Sequence, residues 1–194
     1  MRWVVSRYNH EISYIQDYTN DVILYDRSEI PLDNAIVVPN MGSDIYDKFS
    51  YIIDNYDNLP DCAVYTKANL FDYIKPREFK KIKDNQTFTP ILSLEHHTYR
   101  PVCWYEGGMY CERNDYWYLN VRPAKWAKQI KEFFKMNERE YNKFAPGSNY
   151  ILPKENILQH PKSVYEELRS YLEWDVYPGD AQLLERNLFY LWKL

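Results

Sequence analysis

Residues 35–65 read AIVVPNMGSDIYDKFSYIIDNYDNLPDCAVY, and this stretch decides the fold. Ala35-Ile36-Val37-Val38 is an apolar run of strand length, read as buried, and Pro39 stops it because proline cannot donate to a ladder. Over residues 43–55 the period becomes helical: Ile45, Phe49, Ile52, Ile53 and Tyr56 fall on one face, with Ser43 or Asp44 as the expected cap. Leu59-Pro60-Asp61 breaks that helix, and Cys62-Ala63-Val64-Tyr65 resumes a strand. Strand, helix and strand in alternation argue a mostly parallel sheet with helices on its faces.

The same alternation extends outward in both directions. Trp3-Val4-Val5 and Val22-Ile23-Leu24-Tyr25 are short strands, and residues 11–18 carry Ile12, Ile15 and Tyr18 at helical spacing. Pro76 opens a basic helix to about residue 83, where its missing N–H costs least. Residues 89–94, 102–105 and 117–121 are predicted strands separated by Gly107-Gly108 and Asn114-Asp115, which suggests an antiparallel part of a mixed sheet. A helix is expected over 123–134, with Trp126, Ile130 and Phe133-Phe134 on one side. Tyr150-Ile151-Leu152 is a last strand, and 163–172 and 182–192 are two closing helices.

The 194 residues fit one α/β domain spanning 1–194, long enough to bury a core without staples. A net charge of −4 argues against a general nucleic-acid binder, which needs a basic face. No run approaches the roughly 18 apolar residues of a membrane span. Arg7, Tyr8, Asn9 and His10 come too early for the apolar core of a signal peptide. Cys62, Cys103 and Cys111 are an odd number with no CxxC pair, against a zinc or disulfide framework and for a reducing, cytoplasmic setting. The 20 Tyr, 6 Trp and 8 Phe fit thick core packing first, and a groove that stacks on flat rings second. GxSxG, HExxH and P-loop patterns are missing.

Ligands of open α/β sheets bind outside the carboxyl ends of the strands. Three segments follow predicted strands. Ser6-Arg7-Tyr8-Asn9 offers a cation for phosphate or carboxylate, a ring for stacking and an amide for a base or ribose edge; a polar turn explains it equally well. Asn40-Met41-Gly42-Ser43-Asp44 brings a glycine and a helix N-terminus, an anion site in principle, although Asp44 opposes a phosphate and capping is the simpler reading. In the segment from Thr66 to Asp72, Lys67 can neutralise a diphosphate. Asn69 and Asp72 there are oxygen donors for a hard cation, against ordinary capping at a helix start. Elsewhere, His96 and His97 are adjacent; one of them can line a site, but side chains alternate along a strand and do not share a metal. Glu185-Arg186 sits among leucines on the last helix, either as a packing anchor or as part of a site.

Several of these segments carry a resemblance. Val4 to Glu11 looks like an "ARYNE" opening. Asn40-Met41-Gly42-Ser43-Asp44, with the Tyr51-Ile52-Ile53-Asp54-Asn55-Tyr56-Asp57-Asn58-Leu59-Pro60-Asp61 block, resembles "N-x-G-R-E … YIIDNYDNLPD". Val64 to Tyr73 is similar to "F-x-Q-G-x-P-F-D-H". Ala145 to Leu152, with His160 to Tyr165, looks like "GAQF-x-V … RP-x-x-FY", and Leu184-Glu185-Arg186 to Trp192 resembles an "LER … W" ending. These are the blocks of a family of fungal and bacterial proteins regarded as glycosyltransferases. The chain also resembles the amino-terminal domain of capsid glycosyltransferases of chlorella viruses. Roughly residues 84–144 lie outside the resemblance.

The resemblance implies a GT-A-like fold: a mixed, mostly parallel central sheet flanked by helices. It implies sugar transfer from a nucleotide-sugar donor, UDP-sugar favoured, to a glycan or glycoprotein acceptor, with a divalent metal (Mn²⁺ or Mg²⁺). The expected roles are base and ribose binding by Arg7, Tyr8 and Asn9, and diphosphate contacts from Gly42, Ser43 and Lys67. Asp72 with Asn69 would hold the metal, and Glu185, Arg186 and His96 would stand near the reacting sugar. Ser43 replaces the family's arginine, Ala68-Asn69-Leu70 departs from its pattern, and no Asp-x-Asp motif follows the strand. An inactive carbohydrate-binding or interaction module of the same fold is therefore the alternative. A metal-dependent hydrolase is a more distant rival. Further domains in a longer chain, and a host cytoplasm for a virus-encoded protein, are compatible expectations.

Overall fold

The computed structural model describes residues 1–93, 103–114 and 122–193. Its centre is β1 (Arg2–Arg7), flanked on both sides by parallel strands, β2 (Val22–Asp26) and β4 (Cys62–Lys67). β3 (Ile36–Val37) continues the parallel order beside β2. Beyond β4 the sheet turns mixed: β9 (Tyr150–Pro153) is antiparallel to it, and β5 (Thr89–Pro90) pairs antiparallel with β9. The order is β3-β2-β1-β4-β9-β5. This is a mixed α/β architecture with a six-stranded, mostly parallel sheet flanked by helices.

Alternation along the strands splits the core in two. Val4, Ala63 and Tyr65 face one layer, with Phe49, Ile52, Leu168 and Trp192. Trp3, Val5 and Val64 face the other, with Phe79 and Ile91. Successive strand side chains point to opposite faces, so a centre buried on both sides reads as an unbroken apolar run. Most of the aromatic surplus lies here: Tyr51, Tyr65, Tyr150, Tyr165 and Trp192 are among the largest fully buried side chains.

α1 (Ser43–Asp54) packs its predicted stripe on the sheet. The expected side-chain cap is not used. Gly42 caps the helix in the left-handed region at φ 66°, with no side-chain hydrogen bond. A Cβ there would lie 2.7 Å from the Leu172 Cβ, so both conformation and contact demand glycine. α2 (Pro76–Ile82) begins at its proline, as expected.

Other expectations are corrected. β3 is an exposed two-residue edge, not a buried strand, because nothing pairs beyond it in the sheet. The helix expected over 11–18 is a 3₁₀ turn, Ser13–Asp17. Besides the antiparallel β5 and β9 of the mixed sheet, which the sequence led one to expect, there is a separate antiparallel sheet of β6 (Cys103–Glu106), β7 (Met109–Arg113) and β8 (Tyr141–Phe144). Of this second sheet only β6 was predicted; the strand expected over 117–121 lies outside the described residues. The helix expected over 123–134 is α3 (Ala127–Phe133), with Ile130 and Phe134 buried but Trp126 and Phe133 exposed. α4 (Lys154–Leu158) and α5 (Lys162–Ser170) follow β9. The closing helix is two, α6 (Gly179–Glu185) and α7 (Leu188–Trp192). Asn187 breaks it: its side-chain amide donates to the Leu183 carbonyl at 2.7 Å, while its backbone N–H turns to Leu184. Among the described residues no helix is long and apolar enough to cross a membrane.

Candidate functional site

β1 and β4 end side by side, with Ser6 opposite Lys67 in the register. The N-terminus of α1 meets them there, and Ser6 Oγ donates to the Asp44 carbonyl at 3.3 Å. Two cavities, of about 160 and 190 Å³, open at this point and share Ser43, Asp44, Lys67 and Tyr177. The first is also lined by Arg7, Tyr8, His10, Arg27, Asn69 and Tyr73. The second reaches Arg122, Gln182 and Glu185. The cleft thus lies at the carboxyl ends of the parallel strands, where this class of sheet binds ligands.

Its floor is a buried charge cluster. Asp44 pairs with Lys48 one helical turn on, and accepts from Ser148 Oγ across the sheet. Its second oxygen accepts from Ser43 Oγ at 2.9 Å and lies 3.2 Å from Lys67 Nζ. Burial pushes the Asp44 carboxyl up, but Lys48 and Lys67 pull it down further, well below the usual range. Lys48 is fully buried, which lowers its pKa against the opposing pull of Asp44. Lys67 goes the other way: burial lowers it, yet Asp44 and Glu185 hold it above the ordinary lysine value. Its side chain keeps 24 % of its exposure, so it is the ammonium of the cluster that a ligand can reach. Behind it, Arg27 pairs with buried Asp47 and donates from Nη1 to the Met41 carbonyl at 2.9 Å.

The loop between β8 and β9 closes this floor. Ser148 sits between Asp44 and Lys48, donating to the first and accepting from Lys48 Nζ at 3.0 Å. Asn149 Oδ1 accepts from the Lys67 backbone N–H at 3.0 Å and from Thr66 Oγ1 at 3.1 Å. The Gly147 N–H donates to Glu185 Oε1 at 2.6 Å and fixes that carboxylate in the second cavity. A Cβ on Gly147 would come within 2.6 Å of the Tyr73 ring, which packs over the loop.

The predicted site residues separate into two groups. Tyr8, Lys67, Asn69, Ser43 and Glu185 line the cleft. Arg7 also lines it, but its Nη1 is spent on Asp26 Oδ2 at 2.6 Å and Ser28 Oγ at 2.9 Å, and its Nε on the His10 carbonyl. Arg7 is thus a buried anchor between β1 and β2. Asn9 is exposed on a left-handed turn, at φ 58°. The N–H groups of Gly42 and Ser43 donate to the carbonyls of Asp175 and Val176, which removes them as diphosphate donors. Arg186 lines neither cavity: its Nε donates to Glu112 Oε1 at 2.5 Å and ties the last helices to the second sheet, while its Nη1 lies 3.5 Å from Glu185 Oε2 at the cavity's edge. It is the packing anchor of the two alternatives. His96 lies outside the described residues.

Asn69 and Asp72 do come together, as donor and acceptor of a single hydrogen bond, Nδ2 to Oδ2 at 2.8 Å. Asp72 is exposed and brings one carboxylate, a thin set for a hard cation that takes six or more oxygens.

No family model, curated protein or solved structure matches the chain.

Several residues of the cleft escaped the sequence reading, among them Arg27, Ser148, Asn149 and Tyr177. Arg27 had a signal, because it directly follows β2 and so obeys the strand-end rule applied to the other three segments. Ser148 and Asn149 sit in a Pro146-Gly147-Ser148-Asn149 turn whose partner, α1, is about a hundred residues earlier; only the fold joins them. Tyr177 precedes Pro178 in a connecting segment and carries no local mark.

Proposed function

We propose that this chain is a nucleotide-sugar-dependent glycosyltransferase of GT-A-like fold, with the cleft over β1 and β4 as its donor site. One observation carries the reading. A reachable ammonium, Lys67, stands at the strand ends in a cavity shared with two exposed rings, Tyr8 at 38 % and Tyr177 at 47 %. Those are the groups that a nucleoside diphosphate asks for: a flat face for the base and a cation for the phosphates. The resemblance of the Tyr51–Asp61 block and its neighbours points to the same class of donor.

In this reading the base stacks at Tyr8 and Tyr177 over the first cavity, with Asn69 offering its amide to ribose or base. Lys67 lies at the junction of the two cavities, where the departing diphosphate would gather charge. Fixed positive charge at that point stabilises the leaving group more than the ground state, which is how it accelerates transfer. The sugar extends into the second cavity toward Gln182 and Glu185. In an inverting reaction Glu185, held by the Gly147 N–H, would be the carboxylate that takes the proton of an acceptor hydroxyl.

The test is a melting series with UDP, GDP and ADP and their hexose derivatives, followed by a nucleotide-release assay on any binder. A nucleotide held at a hundred times its Kd stabilises by about 2.7 kcal/mol. For a chain of this size that raises the midpoint by about 5–10 °C. The proposal fails when none of the panel moves the midpoint and none is turned over. Binding without turnover on any glycan acceptor would instead identify a donor-binding module.

A further inference from the structure

We infer that the chain supplies the positive charge for the diphosphate itself, through Lys67 backed by Arg27, so that nucleotide binding needs no divalent cation. The inference rests on the nucleotide-sugar reading above and deepens it. It starts from the carboxylates around the cleft. Asp44 has both oxygens engaged, by Ser43 and Lys67 on one side and Lys48 and Ser148 on the other. Asp47 is fully buried against Arg27. Asp26 accepts from Ser28 on one oxygen and from Arg7 and the Leu32 N–H on the other. Glu185 is bound by the Gly147 N–H. Asp72 is the exposed exception, and the neighbouring amide turns its N–H, not its oxygen, toward that carboxylate. Among the described residues no group of three His, Cys, Asp or Glu is placed to hold a metal ion.

The cations make the complementary case. An ammonium has three donors. Asp44 takes one from Lys67, and Tyr73 lies beside it with its ring centre 5.5 Å from Nζ. The partly exposed head of Lys67 keeps donor capacity for a ligand in the cavity that it lines. Arg27 is about nine-tenths buried and lines the same cavity, which puts a second positive charge on the wall that a ligand phosphate would meet. Arg27 and Lys67 come from the ends of β2 and β4, on either side of β1. Two cations so placed can hold the two phosphates of one ligand by charge-assisted bonds.

The experiment is titration calorimetry of the intact chain with UDP, first in EDTA and then in excess Mn²⁺ or Mg²⁺, with inorganic pyrophosphate as competitor. The expected result is a Kd that changes less than about threefold between EDTA and metal, with pyrophosphate displacing UDP. Lys67→Met is expected to weaken UDP by about 10- to 100-fold in both buffers, the loss of a charged hydrogen bond. Lys67→Arg is expected to recover most of that. Should Lys67→Met fail to fold by circular dichroism, the EDTA comparison on the unaltered chain decides alone. UDP binding that appears only with metal would overturn the inference and leave the proposed function standing. Absence of binding by UDP, GDP and ADP in every buffer would overturn both.

Discussion

Replacing Asp44 by asparagine tests the buried cluster beneath the cleft. Asp44→Asn keeps the shape of the side chain and removes its charge. Lys48, fully buried, then keeps the Ser148 hydroxyl at 3.0 Å but loses the carboxylate that neutralises it. Removing one partner of a buried ion pair costs about 3–5 kcal/mol, because the other charge stays desolvated. Lys67 adds little to that sum, since its head reaches water. Domains of this kind are stable by about 5–15 kcal/mol, so the loss is about a fifth or more of the total. With a urea slope near 2 kcal/mol/M, the unfolding midpoint should fall by about 1.5–2.5 M at unchanged slope. The fluorescence of buried Trp3 and Trp192 reports the transition. The double variant Asp44→Asn/Lys48→Met removes both charges and should regain much of the midpoint. A single variant within about 1 kcal/mol of the parent, or a double variant no better than the single, would refute the cluster as a desolvated pair. The pH dependence gives a second check. The carboxyl of Asp44 is held below its ordinary value in the folded state, so its contribution is complete above about pH 4 and fades as the pH falls further.

Asp47 behaves in the opposite sense. Burial pushes its carboxyl up to about 6, against the pull of Arg27, so its contribution is complete below about pH 4 and is lost as pH rises through 6. Urea midpoints of Asp47→Asn measured across that window should fall less with pH than those of the parent. Tyr8→Ala and Tyr177→Ala should each weaken UDP by about 5- to 150-fold in calorimetry, the range for a lost base–aromatic stack, with the melting midpoint of the free protein little changed. Arg186→Ala should cost about 3–5 kcal/mol in urea unfolding by stranding buried Glu112, and pairing it with Glu112→Gln should restore part of that loss. An Arg186→Ala variant as stable as the parent would refute the anchor role.

The glycosyltransferase reading joins residues that sequence order keeps apart. Lys67, Ser43 and Tyr8 were found from the strand-end rule alone, since each follows directly from an apolar run. The same rule also selected Arg7, Gly42 and Asn9, and there it reached its limit. A residue after a strand is placed near the cleft by backbone geometry, but its neighbours decide where its donors go. Arg7 meets Asp26 and Ser28 before it can meet a ligand. The N–H groups of Gly42 and Ser43 meet the chain before α6.

The sequence by itself determined the alternation of strand and helix, the parallel centre of the sheet and the span of α1. Those features rest on hydrophobic period and on proline and glycine breaks, which are local and need no partner to be read. Only the tertiary structure decided which charges are spent and which remain available. It set Ser148 on Asp44 across a hundred residues of chain and broke the last helix at Asn187. It also placed Arg186 on the second sheet and left Lys67 with its face to the cleft. The reason is physical: a buried charge must find a partner, and that partner is chosen by proximity in space, on which the order of residues is silent.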